Sequence, residues 1–199
     1  ILKSMLQEIK QRERAQRELE EQIKNINDEF IVPIDYFTNR SKIIDDELYG
    51  LVSGISNNAK CFMVFDCCSS GTIVDLPFSY SLDNGNFIEK RENQDNLLLS
   101  KSDIICLSAC RDNEYALDVS NNGKPNGAMS LAIYSVLNQN NWIVNIKDLV
   151  SNIYQFLLIN KYNSQRPEIS SNKKINLSDI YYNFKDNKPI PVQPVVVVY

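Results

Sequence analysis

Two short apolar runs, each breaking into an acid and a thiol, set the strongest limit on how this chain folds. The first, Cys61-Phe62-Met63-Val64-Phe65, runs into Asp66-Cys67-Cys68-Ser69-Ser70-Gly71-Thr72; the second, Ile104-Ile105-Cys106-Leu107, runs into Ser108-Ala109-Cys110-Arg111-Asp112. Both read as strands that turn abruptly polar. An open parallel sheet places its chemistry just beyond the carboxyl ends of its strands. Adjacent and parallel, these two would bring their tips together and line a crevice with Cys68, Asp66 and Asp112. Free cysteine is among the most buried residue types, but a core strand does not normally run on into Asp, Ser, Ser and Gly. Cys68 therefore reads as an exposed thiol at a strand tip.

With 199 residues the chain is long enough for one domain with a substantial core. A net charge of −4 without a basic run leaves no footprint for nucleic acid or an anionic membrane. No stretch approaches the roughly 18 to 20 apolar residues that span a bilayer, and the start lacks a signal-peptide pattern. The five cysteines are odd in number and carry no CxxC pair, which speaks against a disulfide framework or zinc site. A reducing, cytoplasmic setting and a monomer are expected. The 199 residues contain no histidine, so any mechanism that needs an imidazole must draw it from outside them.

Residues 1–26 alternate acids and bases, with an interrupted helical stripe of Leu2, Met5, Leu6, Ile9, Leu19, Ile23 and Ile26. They read as a solvated, ion-paired helix, an insertion or linker, with a helix-mediated protein partner as the alternative. Ile31 to Tyr36 is extended, and Pro33 excludes a central ladder position there. Asp45-Asp46-Glu47 marks a helix start, favoured by the dipole, or contributes to a hard-cation site. Residues 83–101 are polar and read as a surface loop with a turn at Asp83-Asn84-Gly85-Asn86. A helix opens at Gly127 with Met129, Ala132, Ile133, Val136 and Leu137 on one face, and a second follows the N-cap Asn145. Pro189, Pro191 and Pro194 precede the Val195–Val198 run of the tail, 186–199, an extended edge segment or a ragged end.

Asp66 to Thr72, followed by Asp75-Leu76-Pro77-Phe78, resembles the nucleophile segment of metacaspases, usually Asp-Ser/Cys-Cys-His-Ser-Gly-Thr with Asp-Leu-Pro-Phe/Tyr after it. Four further elements resemble that family in the same order: Pro33-Ile34-Asp35-Tyr36, Asp45-Asp46-Glu47-Leu48, Ser108-Ala109-Cys110-Arg111-Asp112 and Gly127-Ala128-Met129-Ser130. The resemblance implies a caspase-like three-layer α/β/α sandwich with a mainly parallel central sheet over residues 27–185, with upstream strands missing. It implies a type I-like cysteine endopeptidase that cleaves peptide or protein substrates after Arg or Lys. Cys68 would be the nucleophile, and Asp66 and Asp112 the carboxylates that pair with the basic side chain. Gly71 and the backbone around Cys68 would form the oxyanion site. Calcium is the implied cofactor, mapping onto Asp45, Asp46 and Asp75, with Asp28 as a fourth.

The chain departs from the pattern at two places. Ser69 stands where the family usually has a histidine beside the nucleophile, which implies altered loop packing rather than lost chemistry. The family's Ser-Gly-His-Gly loop, which carries the catalytic imidazole, is absent from its expected place before Pro33. Either that strand lies upstream of Ile1, as a start without Met suggests, or the protein has lost it. The second case would leave a catalytically impaired homologue that binds peptides or proteins through the same acidic pocket. A phosphate-holding loop at Ser69-Ser70-Gly71-Thr72 is poorly supported by a single glycine without a following Lys.

Overall fold

The computed structural model describes residues 10, 29–33, 35–68, 70–83, 85–91, 102–121, 123–180 and 197–198. The charged segment of residues 1–26, apart from Lys10, lies outside them, as do Asp28, Ser69 and most of the tail. Two units are defined, Ile1–Glu47 and Leu48–Tyr199.

In the first unit a minimal antiparallel pair joins β1 (Phe30–Ile31) to β2 (Ile43–Ile44), with a single turn of helix, α1 (Tyr36–Asn39), between them. Helix α2 (Asp45–Ser53) begins at the end of this unit. Its acidic first turn, Asp45, Asp46 and Glu47, follows the expectation from sequence. Asp45 closes the pair: its Oδ2 accepts from Glu29 N at 3.3 Å and its Oδ1 from Asp46 N at 2.8 Å.

The second unit is built on a six-stranded sheet ordered β10-β3-β6-β9-β4-β5. Its strands are β3 (Lys60–Phe65), β4 (Phe78–Asp83), β5 (Asn86–Arg91), β6 (Asp103–Ser108), β9 (Glu168–Ser171) and β10 (Val197–Val198). The two apolar runs are indeed neighbours, paired in parallel from Lys60 opposite Asp103 to Phe65 opposite Ser108. β10 extends the parallel part, with Val197 opposite Val64, so the end of the tail is an edge strand. β9 then runs antiparallel between β6 and β4. Four strands share one direction, while β9 and the edge strand β5 run against it, so the pairings are mixed. A hairpin, β7 (Asp118–Asn121) and β8 (Lys124–Gly127), leads into α3 (Ala128–Gln139), and α4 (Ile146–Ile159) follows.

The fold is caspase-like α/β, a central sheet flanked by helices. Ile105 and Leu107 of β6 join Phe62, Ile169 and the inner faces of α3 and α4 in one core. Ile104 and Cys106, alternating to the other face, are equally buried, so the sheet is covered on both sides as a layered α/β fold requires. Asn145 caps α4 as its sequence predicts, its side chain accepting from Asp148 N. One expectation is corrected. Within 83–101, residues 86–91 form edge strand β5, paired along its length with β4. Polar composition concealed it because an edge strand open to solvent can carry Asn86, Glu89, Lys90 and Arg91. Among the described residues no helix is long and apolar enough to cross a membrane.

Candidate active site

The carboxyl ends of β3 and β6 release two loops that are stitched to each other. Ala109 N bonds Phe65 O at 2.9 Å, continuing the ladder one residue past the strands. Ser108 Oγ then donates to Ser70 O at 2.6 Å, and Cys110 Sγ lies 3.5 Å from Cys67 O. Thr72 N donates to Asp112 Oδ1 at 3.1 Å. The two tips expected to meet therefore do so, through side chains of the β6 loop and backbone of the β3 loop.

Cys68 is exposed, whereas Cys106 and Cys110 are buried. Burial pushes the Cys106 thiol up to about 12, against a smaller opposing effect of the Ser108 and Ser170 hydroxyls, and burial also raises Cys61. The Cys106 thiol is a poor nucleophile for the same reason that it is a good core residue. Cys68 Sγ lies 3.8 Å from Ala116 O, in the loop after β6.

Asp66 and Asp112, expected together, are anchored differently. Asp66 Oδ2 accepts from Ser130 N at 2.8 Å and so caps the amino end of α3. Its Oδ1 is buried and has no hydrogen-bond partner among the described residues. Gly127, the α3 N-cap, is pressed onto this carboxylate: a Cβ there would sit 2.6 Å from Asp66 Cγ. Asp112 lies over Gly71, where a Cβ would come 2.8 Å from its Oδ1 and 3.3 Å from Glu168 Oε2. Gly127 is thus held to glycine by the approach of a carboxylate rather than by backbone angle, and Gly71 lies close beneath a second carboxylate.

Glu168, Glu114 and Gln165 carry no strand-tip signal in the sequence. Glu168 and Gln165 reach the site because β9 is antiparallel: its first residue, Glu168, pairs with Ser108, the last of β6, whereas Glu114 comes from the loop after β6 itself. Burial raises the Glu168 carboxyl, opposed by Arg111 and Lys90 and reinforced by Asp112 and Glu114. Glu114 ties the loops before β9 and after β6, accepting from Arg111 N at 3.3 Å and Arg166 N at 2.9 Å. Only the Gln165-Arg166-Pro167-Glu168 run at the head of a short polar strand could have hinted at Gln165 and Glu168. A cavity of about 500 Å³, lined by Lys60, Asp103 and Lys173 among others, lies at the opposite ends of β3 and β6 and is separate from Cys68.

For calcium, Asp45 has both carboxylate oxygens occupied by backbone N–H groups. Asp75 is half-buried in the loop before β4, in left-handed backbone with φ 50°. Among the described residues no three acidic or thiol side chains converge on a metal-sized point.

Cys68 is thus an exposed thiol just beyond a central strand, two residues after a carboxylate that caps a helix, on a helix-flanked mixed sheet of caspase-like α/β architecture. The sequence profile described as "Metacaspase, peptidase C14 domain" matches residues 11–77, beginning inside the charged segment. "Inactive metacaspase-4" of Trypanosoma brucei brucei is 32% identical over 162 residues, 75% of this chain and 45% of that protein. "Metacaspase-5" of Trypanosoma cruzi is 30% identical over 197 residues, 94% of this chain and 42% of that protein. "Metacaspase-1" of Schizosaccharomyces pombe is 28% identical over 195 residues, 76% of this chain and 45% of that protein. The chain is a metacaspase-type protein, and it spans less than half the length of each of these relatives.

Proposed function

We propose that the chain carries the nucleophile of a cysteine endopeptidase that cleaves after Arg or Lys. The observation that carries this reading is Cys68, exposed at the β3 tip two residues after a carboxylate with one oxygen capped and the other buried without a partner. An unpaired buried carboxylate oxygen is costly, and a guanidinium or ammonium is the partner that relieves it. Asp112 adds negative charge from the β6 loop. Cys68 Sγ would attack the scissile carbonyl and form a tetrahedral intermediate, its oxyanion facing N–H groups around Gly71 and Cys68. Collapse would give a thioester and release the amine, and water would then hydrolyse the thioester. The proton moves through an imidazole from polypeptide outside these 199 residues, which hold no histidine. Calcium stimulation, the implied cofactor effect, is carried in the same proposal with no site assigned to it among the described residues.

The test is hydrolysis of fluorogenic peptides by the full-length protein that contains this chain. Peptides ending in Arg or Lys should be cut and an Asp-ending one spared, Cys68→Ala should abolish turnover, and chelation of calcium should lower it. Absence of turnover by folded full-length protein with calcium present would refute the enzymatic reading. The lack of histidine favours one alternative in that event, a module that binds basic peptides and keeps binding them after Cys68→Ala.

A further inference from the structure

Gln165 is fully buried in the loop that leads into β9. Its Oε1 accepts from Leu117 N at 2.9 Å, and its Nε2 is buried with no partner among the described residues. Leaving an amide donor unpaired is a cost that an apolar side chain of equal size avoids. What Gln165 supplies, and such a residue cannot, is the acceptor for Leu117.

Leu117 is the joint of the site. Its own carbonyl accepts from Ala128 N, the first residue of α3, at 2.8 Å. The preceding carbonyl, Ala116 O, faces Cys68 Sγ at 3.8 Å. One turn into the same helix, Ser130 N holds Asp66. The thiol and the carboxylate two residues before it are therefore fixed to a single frame, α3 and residues 116–117, and Gln165 fastens that frame to the central sheet through β9.

We propose that Gln165 is a positioning residue for Cys68, acting through the Leu117 amide and the Ala116 carbonyl. Without the acceptor, residues 116–117 lose their own tie to the β9 loop, with Glu114 left as the nearest bond between the two loops, and the Ala116 carbonyl is freed to move from Cys68 Sγ. The proposal deepens the nucleophile reading and rests on it only for its consequence in catalysis, because the reactivity of a thiol toward an alkylating agent needs no imidazole.

The experiment is iodoacetamide alkylation of the full-length protein at fixed neutral pH, resolved by peptide mass spectrometry, with Cys61 as internal reference. Gln165→Met, similar in size but without the acceptor, should raise the Cys68 rate by about fivefold, the factor one net hydrogen bond is worth, while Cys61 stays within about twofold. Gln165→Glu, which keeps an oxygen acceptor, should restore most of the wild-type rate. Equal acceleration at Cys61 and Cys68, or an unchanged Cys68 rate in Gln165→Met, would overturn the assignment. Should the variants fail to fold, the wild-type protein gives the reciprocal measurement: alkylating Cys68 should speed hydrogen exchange at the Leu117 amide. Unchanged exchange at Leu117 would refute the coupling. Peptide hydrolysis can fail while this result stands, so the two proposals are separable.

Discussion

Replacing Gly127 by alanine separates packing from backbone entropy in a single measurement. Gly127 has φ −69° and ψ 140°, a conformation open to any residue. On backbone grounds alone the substitution should stabilise the protein by about 0.4–1 kcal/mol, through the unfolded chain. The added methyl, however, would sit 2.6 Å from Asp66 Cγ and 3.1 Å from its Oδ1, and must displace the carboxylate. Displacement breaks the bond from Ser130 N to Asp66 Oδ2, a hydrogen bond to a charged group worth about 1.5–3 kcal/mol. The net expectation is a loss of about 1–2.5 kcal/mol, read by urea denaturation at constant m-value. In an Asp66→Ala background the obstacle is gone, and Gly127→Ala should become neutral or stabilising by up to about 1 kcal/mol. That reversal of sign corresponds to a coupling of about 1.5–3 kcal/mol in the double-mutant cycle. Equal effects of Gly127→Ala in both backgrounds would refute the claim that the carboxylate dictates the glycine.

Two further outcomes follow from polar groups that the fold buries. Asn172 accepts from Ile104 N and donates to Ser102 O, both at 2.9 Å, so Asn172→Leu should remove two buried bonds, leave the Ile104 N–H without its acceptor and destabilise by about 1–3 kcal/mol in chemical denaturation. The Glu168 carboxyl is raised by burial, so the folded state holds its proton more tightly than the unfolded chain. This stabilising contribution is complete below the unfolded value of 4.5 and fades as pH rises through the folded value, by the linkage relation. Glu168→Gln should therefore gain stability relative to wild type as pH increases across that window, as measured by melting temperature against pH; a constant difference would count against the burial.

The sequence by itself determined β3 and β6, because a continuous apolar run that stops at an acid and a thiol is written locally in the order of residues. It also determined the inner faces of α3 and α4 and the Asn145 cap, which depend on spacing over a few residues. The stitching of the Cys68 loop to the Asp112 loop was legible as far as the two strands could be taken as parallel neighbours. Three things were decided only by tertiary structure. β9 enters the sheet antiparallel between β6 and β4, which places Glu168 and Gln165 at the site from the start of a strand, where strand-tip reasoning does not look. Gly127 is glycine because a carboxylate from a distant loop lies against it. Asp66 caps a helix that begins more than sixty residues later. The physical reason is common to all three: strand direction, steric exclusion and capping across the fold are set by partners far apart in sequence, and local propensity carries no information about which partners meet.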